Sequence, residues 1–221
     1  MLKRTTIVML ALALTLLGCA AEEQTPPSTG EPVPSTASST HVPPSSGAGV
    51  DVRSARFQAT WWTWATSREE INPVVDPTGE QCAKGQPDGV WLVAGTFSGT
   101  VRRRCTVPAG VPIAGPLINL ASTDADDCDG FVAAAEGTVS TDASPEVTAV
   151  DTARFEFVAE RGNPAGFPAG RNEVFGCGIW FSAGPFSPGR QLLVLKGRHG
   201  DFSVEATYDL TIKATRRRQG G

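Results

Sequence analysis

The densest group of chemically capable side chains is Asp124-Ala125-Asp126-Asp127-Cys128-Asp129-Gly130. Clustered carboxylate oxygens suit a hard cation such as calcium. The calcium-loop pattern D-x-[DN]-x-[DN]-G is not met, because Cys128 stands where the third ligand should be. Asp124, Asp126, Asp127 and Asp129 are therefore candidate ligands of an irregular loop site. The plainer alternative is an acidic loop whose like charges repel and which pairs with arginines. No other cofactor is indicated.

Cys82, Cys105, Cys128 and Cys177 form the second group. Zinc sites usually carry cysteines in close C-x₂₋₄-C pairs, and these four are far apart in sequence. An even number of cysteines in an exported chain reads as two disulfides. Three connectivities are open. Short loops close most easily, which favours Cys82–Cys105 and Cys128–Cys177. On the chain-entropy account each bridge stabilises the fold by about 3–4 kcal/mol.

Trp61, Trp62 and Trp64, with Trp91 and Trp180, could offer flat faces to sugar rings. Large aromatics more often fill cores. Trp61, Trp62 and Trp64 lie so close together that they cannot all point one way, so one is expected at the surface. They are the candidate ligand platform. Hydrolase signatures are missing: there is no G-x-S-x-G, H-E-x-x-H, Walker loop or G-x-G-x-x-G. His199 falls in an expected hairpin turn near Asp201, a poor place to hold a catalytic imidazole. Glu156, Glu160 and Glu173 could serve a glycosidase, but nothing in their spacing selects a pair. No catalytic residue is assigned.

Leu16-Leu17-Gly18-Cys19 follows Lys3-Arg4 and an apolar run from Ile7 to Leu17. A charged start, a short apolar core and a small residue before the cut describe a secretory signal over residues 1–18. The run is shorter than the roughly 20 residues needed to span a bilayer. These four residues resemble the lipobox of bacterial lipoproteins. The resemblance implies that Cys19 is diacylated with palmitate-like chains and becomes the N-terminus of an exported protein held on a membrane. Two acyl chains suffice for stable anchoring. Ala20 and Ala21 follow the cysteine where an Asp would mark inner-membrane retention, so the family rule points to the outer membrane.

Residues 19–52 are rich in Pro, Ser and Thr and poor in large apolar residues. Such a segment cannot bury enough surface to offset its ordering entropy. It reads as a disordered tether reaching roughly 30 Å on average, enough to clear lipid headgroups. The formal net charge of −4 argues against nucleic acid as a partner. Arg102-Arg103-Arg104 is expected in a solvated strand, and residues 216–221 form a flexible basic tail.

Residues 53–215 make one globular domain. Phe202 to Lys213 alternates apolar and polar residues throughout, the mark of a strand with one wet face. Gln191–Lys196 pairs with it in a hairpin. Val90–Phe97 and Thr100–Val107 suggest another hairpin joined at Ser98-Gly99; Ala153–Ala159 and Gly176–Ser182 add strands. The spacing of Phe57, Trp61, Trp64 and Ile71 favours a helix over Ser54–Asn72, capped by Ser54. Phe131–Glu136 could be a second, short one. The expected class is mainly β, an antiparallel sandwich or barrel-like domain with one N-terminal helix.

Trp61-Trp62-x-Trp64, Asn72-Pro73, Asp76-x-Thr78-Gly79, Cys82, Val90-Trp91, Ala94-Gly95-Thr96-Phe97 and Val107-Pro108-Ala109-Gly110 together resemble a family of secreted bacterial proteins. The resemblance implies a secreted domain and carries no catalytic residue. The expected function is a membrane-anchored lipoprotein displaying a non-catalytic binding or structural domain, with a glycan or a protein as its partner. The alternatives are a glycan-active enzyme using paired carboxylates and a calcium-stabilised adhesion module.

Overall fold

A computed structural model describes residues 50–97 and 99–214. The leader, Cys19, most of the tether and the basic tail lie outside the described residues. The elements are helices α1 (Ala55–Ala65) and α2 (Phe131–Ala134) and strands β1 (Trp91–Leu92), β2 (Gly99–Pro108), β3 (Ile113–Ser122), β4 (Ala135–Ser140), β5 (Glu146–Ala159), β6 (Gly170–Ala183), β7 (Gly189–His199) and β8 (Phe202–Lys213). They build two four-stranded sheets, β1-β3-β6-β5 and β2-β8-β7-β4. The expected β-sandwich class is borne out.

Ser54 is extended and its side chain accepts the Phe57 N–H at 3.2 Å, so α1 starts where its cap predicts. The helix ends sooner than expected. Asn72 folds back and donates from Nδ2 to the Ala65 carbonyl at 2.9 Å and to the Ser67 carbonyl at 2.8 Å. With a helix-end carbonyl satisfied in this way, Glu69–Ile71 closes as a 3₁₀ turn. Val52 is buried in the core beside α1, so the folded part already includes residues assigned to the tether.

The described residues form three layers. Helix α1 lies on the first sheet, packing Phe57 and Trp61 edge-on against Trp180 of β6 and Trp62 against Phe157 of β5. The second core fills the space between the sheets, with Ile113, Leu117 and Phe181 facing Leu193, Leu195, Leu210 and Ile212. The first sheet is thus covered on both faces along β3 and β6. Ile113 and Ala114 are neighbours in β3 yet enter different cores, as do Trp180 and Phe181 in β6. Alternation of side chains across a strand produces this division.

The expected hairpin of 90–97 with 100–107 does not form. β1 is only Trp91–Leu92 and pairs in parallel with β3 in the first sheet. β2 pairs in parallel with β8 in the second. Beyond β1 the carbonyls of Ala94 and Gly95 turn to a side chain of β2, so they are lost to any ladder. Each sheet therefore contains one parallel pairing among antiparallel ones. Both favoured cysteine pairs stand at disulfide distance, with Cα separations of 5.8 Å for Cys82–Cys105 and 5.7 Å for Cys128–Cys177.

Strand β3 bulges between Pro116 and Ile118, and the second sheet lies close against it there. Gly137 of β4 and Gly197 of β7 are register partners at that point. A Cβ on Gly197 would stand 1.9 Å from the Leu117 carbonyl oxygen, and one on Gly137 would stand 2.8 Å from the Leu117 Cβ. Backbone cannot yield there as a side chain would. Gly197→Ala is expected to lower the unfolding free energy by about 3 kcal/mol in urea titration, through overpacking. Gly200→Ala, in the open β7–β8 turn at φ 56°, is expected to cost about 1 kcal/mol through backbone strain alone.

Candidate functional site

The structure uses the tryptophans as core. Trp61, Trp62, Trp64, Trp91 and Trp180 are all buried, so the expectation that one of the first three is exposed is corrected. The reason is that α1 is covered on more than one side. Trp61 faces Trp180 of the sheet, Trp62 is enclosed by Phe157 and Phe167, and Trp64 is covered by the loop that holds Lys84. The indole of Trp61 donates to the Val93 carbonyl at 3.0 Å and that of Trp64 to the Lys84 carbonyl at 2.9 Å. None of the five presents a flat face to a sugar.

The acidic loop folds on itself. Asp124 accepts the Asp126 N–H at 3.0 Å and caps a 3₁₀ turn, Ala125–Cys128. Ser122 Oγ bonds the Asp127 carboxylate and accepts the Asp124 N–H. Among the described residues no three acidic, His or Cys side chains group as metal ligands, and Asp124, Asp126, Asp127 and Asp129 are no exception. The glutamates are likewise committed. Glu156 and Glu173 are cross-strand partners on β5 and β6, and each carboxylate meets an arginine, Arg171 and Arg154 respectively, at 2.5 Å. Glu160 pairs with Arg68. His199 ends β7 and stacks on Phe131 at 4.3 Å, within the strand and not in the turn.

The side chain that sequence reasoning missed is Arg103. It is 1% exposed, although its neighbours Arg102 and Arg104 are solvated. Its guanidinium donates to the carbonyls of Asp76 (2.7 Å), Val74 (2.7 Å), Ala94 (2.8 Å) and Gly95 (2.8 Å) and to the Tyr208 hydroxyl (2.6 Å). Tyr208 in turn donates to the Ala94 carbonyl at 2.6 Å and accepts the Ala94 N–H. The signal was present in the alternation: Val101, Arg103, Cys105 and Val107 share the inward face of β2.

Asp76 sits beside this knot, also buried. Its carboxylate accepts N–H groups of Thr78, Gly79 and Gln81 and the Thr78 hydroxyl. Burial pushes its pKa up, but the donated bonds from Gln81, Thr78 and Gly79 outweigh burial and hold the pKa below its ordinary 3.8. The turn that results lays Thr78 and Gly79 along the edge of β2, where the Arg104 N–H donates to the Thr78 carbonyl at 2.8 Å. Cys82–Cys105 fastens the same loop one residue pair further on.

Next to the knot lies a small, partly open cavity of about 110 Å³. Trp62 and Ala65 of α1, Gly95 and Phe97 after β1, Asn119 of β3 and Phe202 of β8 contribute to its wall. No ionisable side chain lines it. Asn119 Nδ2 and Trp62 Nε1 are both buried, and neither meets an acceptor among the described residues. Phe97 and Phe202 are 42% and 43% exposed, so they form its open side.

Arg103→Lys is expected to lower stability by about 3 kcal/mol in denaturant unfolding, because one ammonium cannot reach acceptors arranged for a planar fork. Asp76→Asn tests the depressed carboxyl. A group whose folded pKa lies below its unfolded value adds stability that is full above the unfolded value and lost as pH falls through the folded one. Asp76→Asn should therefore be less stable by about 2 kcal/mol at neutral pH. The gap should begin to narrow as pH falls past the ordinary carboxyl value of 3.8 and should close only below the lowered folded value, as read from melting temperatures across a pH series.

No family model matches the chain, and no curated protein does. Among solved structures, "Solution Structure of Amebosin" is similar at 12% identity, covering 52% of this chain and 98% of its own, with a TM-score of 0.23.

Proposed function

We propose that the chain is an exported lipoprotein, anchored through Cys19 to the bacterial outer membrane, whose β-sandwich is a non-catalytic binding domain on a Pro/Ser/Thr-rich tether. The observation that carries the binding reading is the partly open cavity with no titratable group in its wall. General acid–base chemistry needs an ionisable side chain within hydrogen-bond reach of the reacting atom. Concave apolar walls with a few fixed polar groups are what ligand pockets present. The domain's carboxylates point the same way: those of Glu156 and Glu173 are bonded to arginines, and that of Asp76 to backbone N–H groups.

The anchoring reading is supported by the order of segments in the sequence: charged start, apolar run, Leu16-Leu17-Gly18-Cys19, tether, disulfide-bearing domain. The favoured cysteine pairing, formed in an oxidising compartment, fits export. Intact-mass analysis of the protein from a bacterial host should find a mature N-terminus at Cys19 carrying acyl chains, in the membrane fraction. Cys19→Ala should shift the protein to the soluble fraction or leave its leader attached. An unacylated, membrane-free mature protein would overturn the anchoring.

A further inference from the structure

We infer that the outer face of the second sheet, at the end where β8 finishes, binds an oligosaccharide whose sugars carry spaced carboxylates. This goes beyond the cavity beside α1, with which the face shares no lining residue. An open hollow of about 740 Å³ lies over β2, β8 and β7 there. Strand register sets out its floor. Arg104 of β2 stands beside Asp209 of β8, which stands beside Leu192 of β7. Thr106, Thr211 and Arg190 form the next row on the same face. All six line the hollow. Asp209 is the cross-strand partner of Arg104, yet both its oxygens are held by Arg102, at 2.8 Å each. Arg104 and Arg190 are exposed, and neither guanidinium meets a carboxylate among the described residues.

A guanidinium fork matches the two oxygens of a carboxylate. The two unpaired forks are set apart. Two strand spacings of about 4.8 Å and a two-residue offset of about 3.4 Å per residue separate the Cα atoms of Arg104 and Arg190 by about 12 Å. That distance suits two anionic groups on one chain better than a single ion. Between the arginines lie the exposed hydroxyls of Thr106 and Thr211, which can exchange hydrogen bonds with uncharged hydroxyls. Leu192 is 47% exposed and offers an apolar surface to the C–H side of a sugar ring. Asp142 and Asp209 remain in the same wall. Their charge opposes a densely anionic partner such as nucleic acid or an anionic bilayer. A sugar chain with one carboxylate per ring and hydroxyls between meets each of these features.

Tetragalacturonate and its methyl ester are a matched pair, the same chain with and without charge. Each is titrated by calorimetry into the full-length protein in nonionic detergent. The acid should bind in the submillimolar to millimolar range, more weakly as salt rises, and about 10-fold more tightly than the ester. Arg104→Gln and Arg190→Gln should each weaken binding of the acid by about 5-fold. Asp209→Asn removes a negative charge from the floor and loosens the hold on Arg102, so it should tighten binding by about 2–5-fold. Arg171→Gln, on the first sheet, should change nothing. These side chains are exposed, so the variants should keep the parent melting temperature within a few degrees. No binding, equal binding of acid and ester, arginine variants that bind as the parent does, or weaker binding by Asp209→Asn would overturn the inference. So would displacement by an equal concentration of inorganic phosphate, or tighter binding of a DNA oligonucleotide or of phosphatidylglycerol vesicles. Loss of the anchor changes fractionation and leaves these affinities as they are, so the two readings fail separately.

Discussion

A guanidinium cannot lose its charge, so burying Arg103 obliges the chain to solvate it with backbone. An unpaired ion in a low-dielectric interior costs many kcal/mol. Here the compensation comes from carbonyls of two loop segments, residues 74–76 and 94–95, and from Tyr208 of the neighbouring strand. These groups must converge on one planar fork. That demand fixes the course of both loops more tightly than apolar packing would, because a hydrogen bond is directional and a methyl contact is not. The course of the first loop covers the edge of β2, which would otherwise present unpaired N–H and C=O groups. The course of the second ends β1 after two residues and turns the chain from one sheet to the other.

The sequence shows strands that keep one wet face and hides strands that do not. β8 was legible over its whole length, because Val204, Ala206, Tyr208, Leu210 and Ile212 enter the core and their neighbours stay polar. β3 was not, since Ile113 through Ile118 are buried on both sides and the run reads as apolar without a period. Helix α1 was legible from Ser54 and from the spacing of Phe57, Trp61 and Trp64. Its end was not, because Asn72 reaches back across six intervening residues to stop it. Arg103 was misread by its company: two solvated arginines flank it, and a run of three looks like a charged surface. The disulfide pairing was favoured correctly from loop length, since sequence separations of 23 and 49 together close shorter loops than either alternative connectivity would.

The cavity could not be read from the sequence at all. Its wall is drawn from α1, the 94–97 segment, β3, the loop holding Ala165 and β8, and no local pattern joins these. The bulge in β3 forms one side of it. Leu117 and Ile118 are displaced toward Gly137 and Gly197 of the second sheet, where only glycine leaves room for the β3 backbone. Asn119 follows the bulge directly and lines the cavity. A polar side chain whose amide nitrogen is buried without an acceptor is expensive in a core, at about 1–3 kcal/mol.

The same knot that directs the loops also fixes part of this cavity's wall. Ala94 is held by three hydrogen bonds shared with Arg103 and Tyr208, and Gly95 by another. Both residues line the cavity. On the far side Trp61 is tied to the Val93 carbonyl, and α1 is pinned by its caps. A wall tied down by hydrogen bonds on both sides has little conformational freedom left to lose. The buried arginine thus bears on the shape of the cavity as well as on stability: a change there that loosens the 94–95 segment would restore ordering entropy to that segment and unsettle this part of the wall.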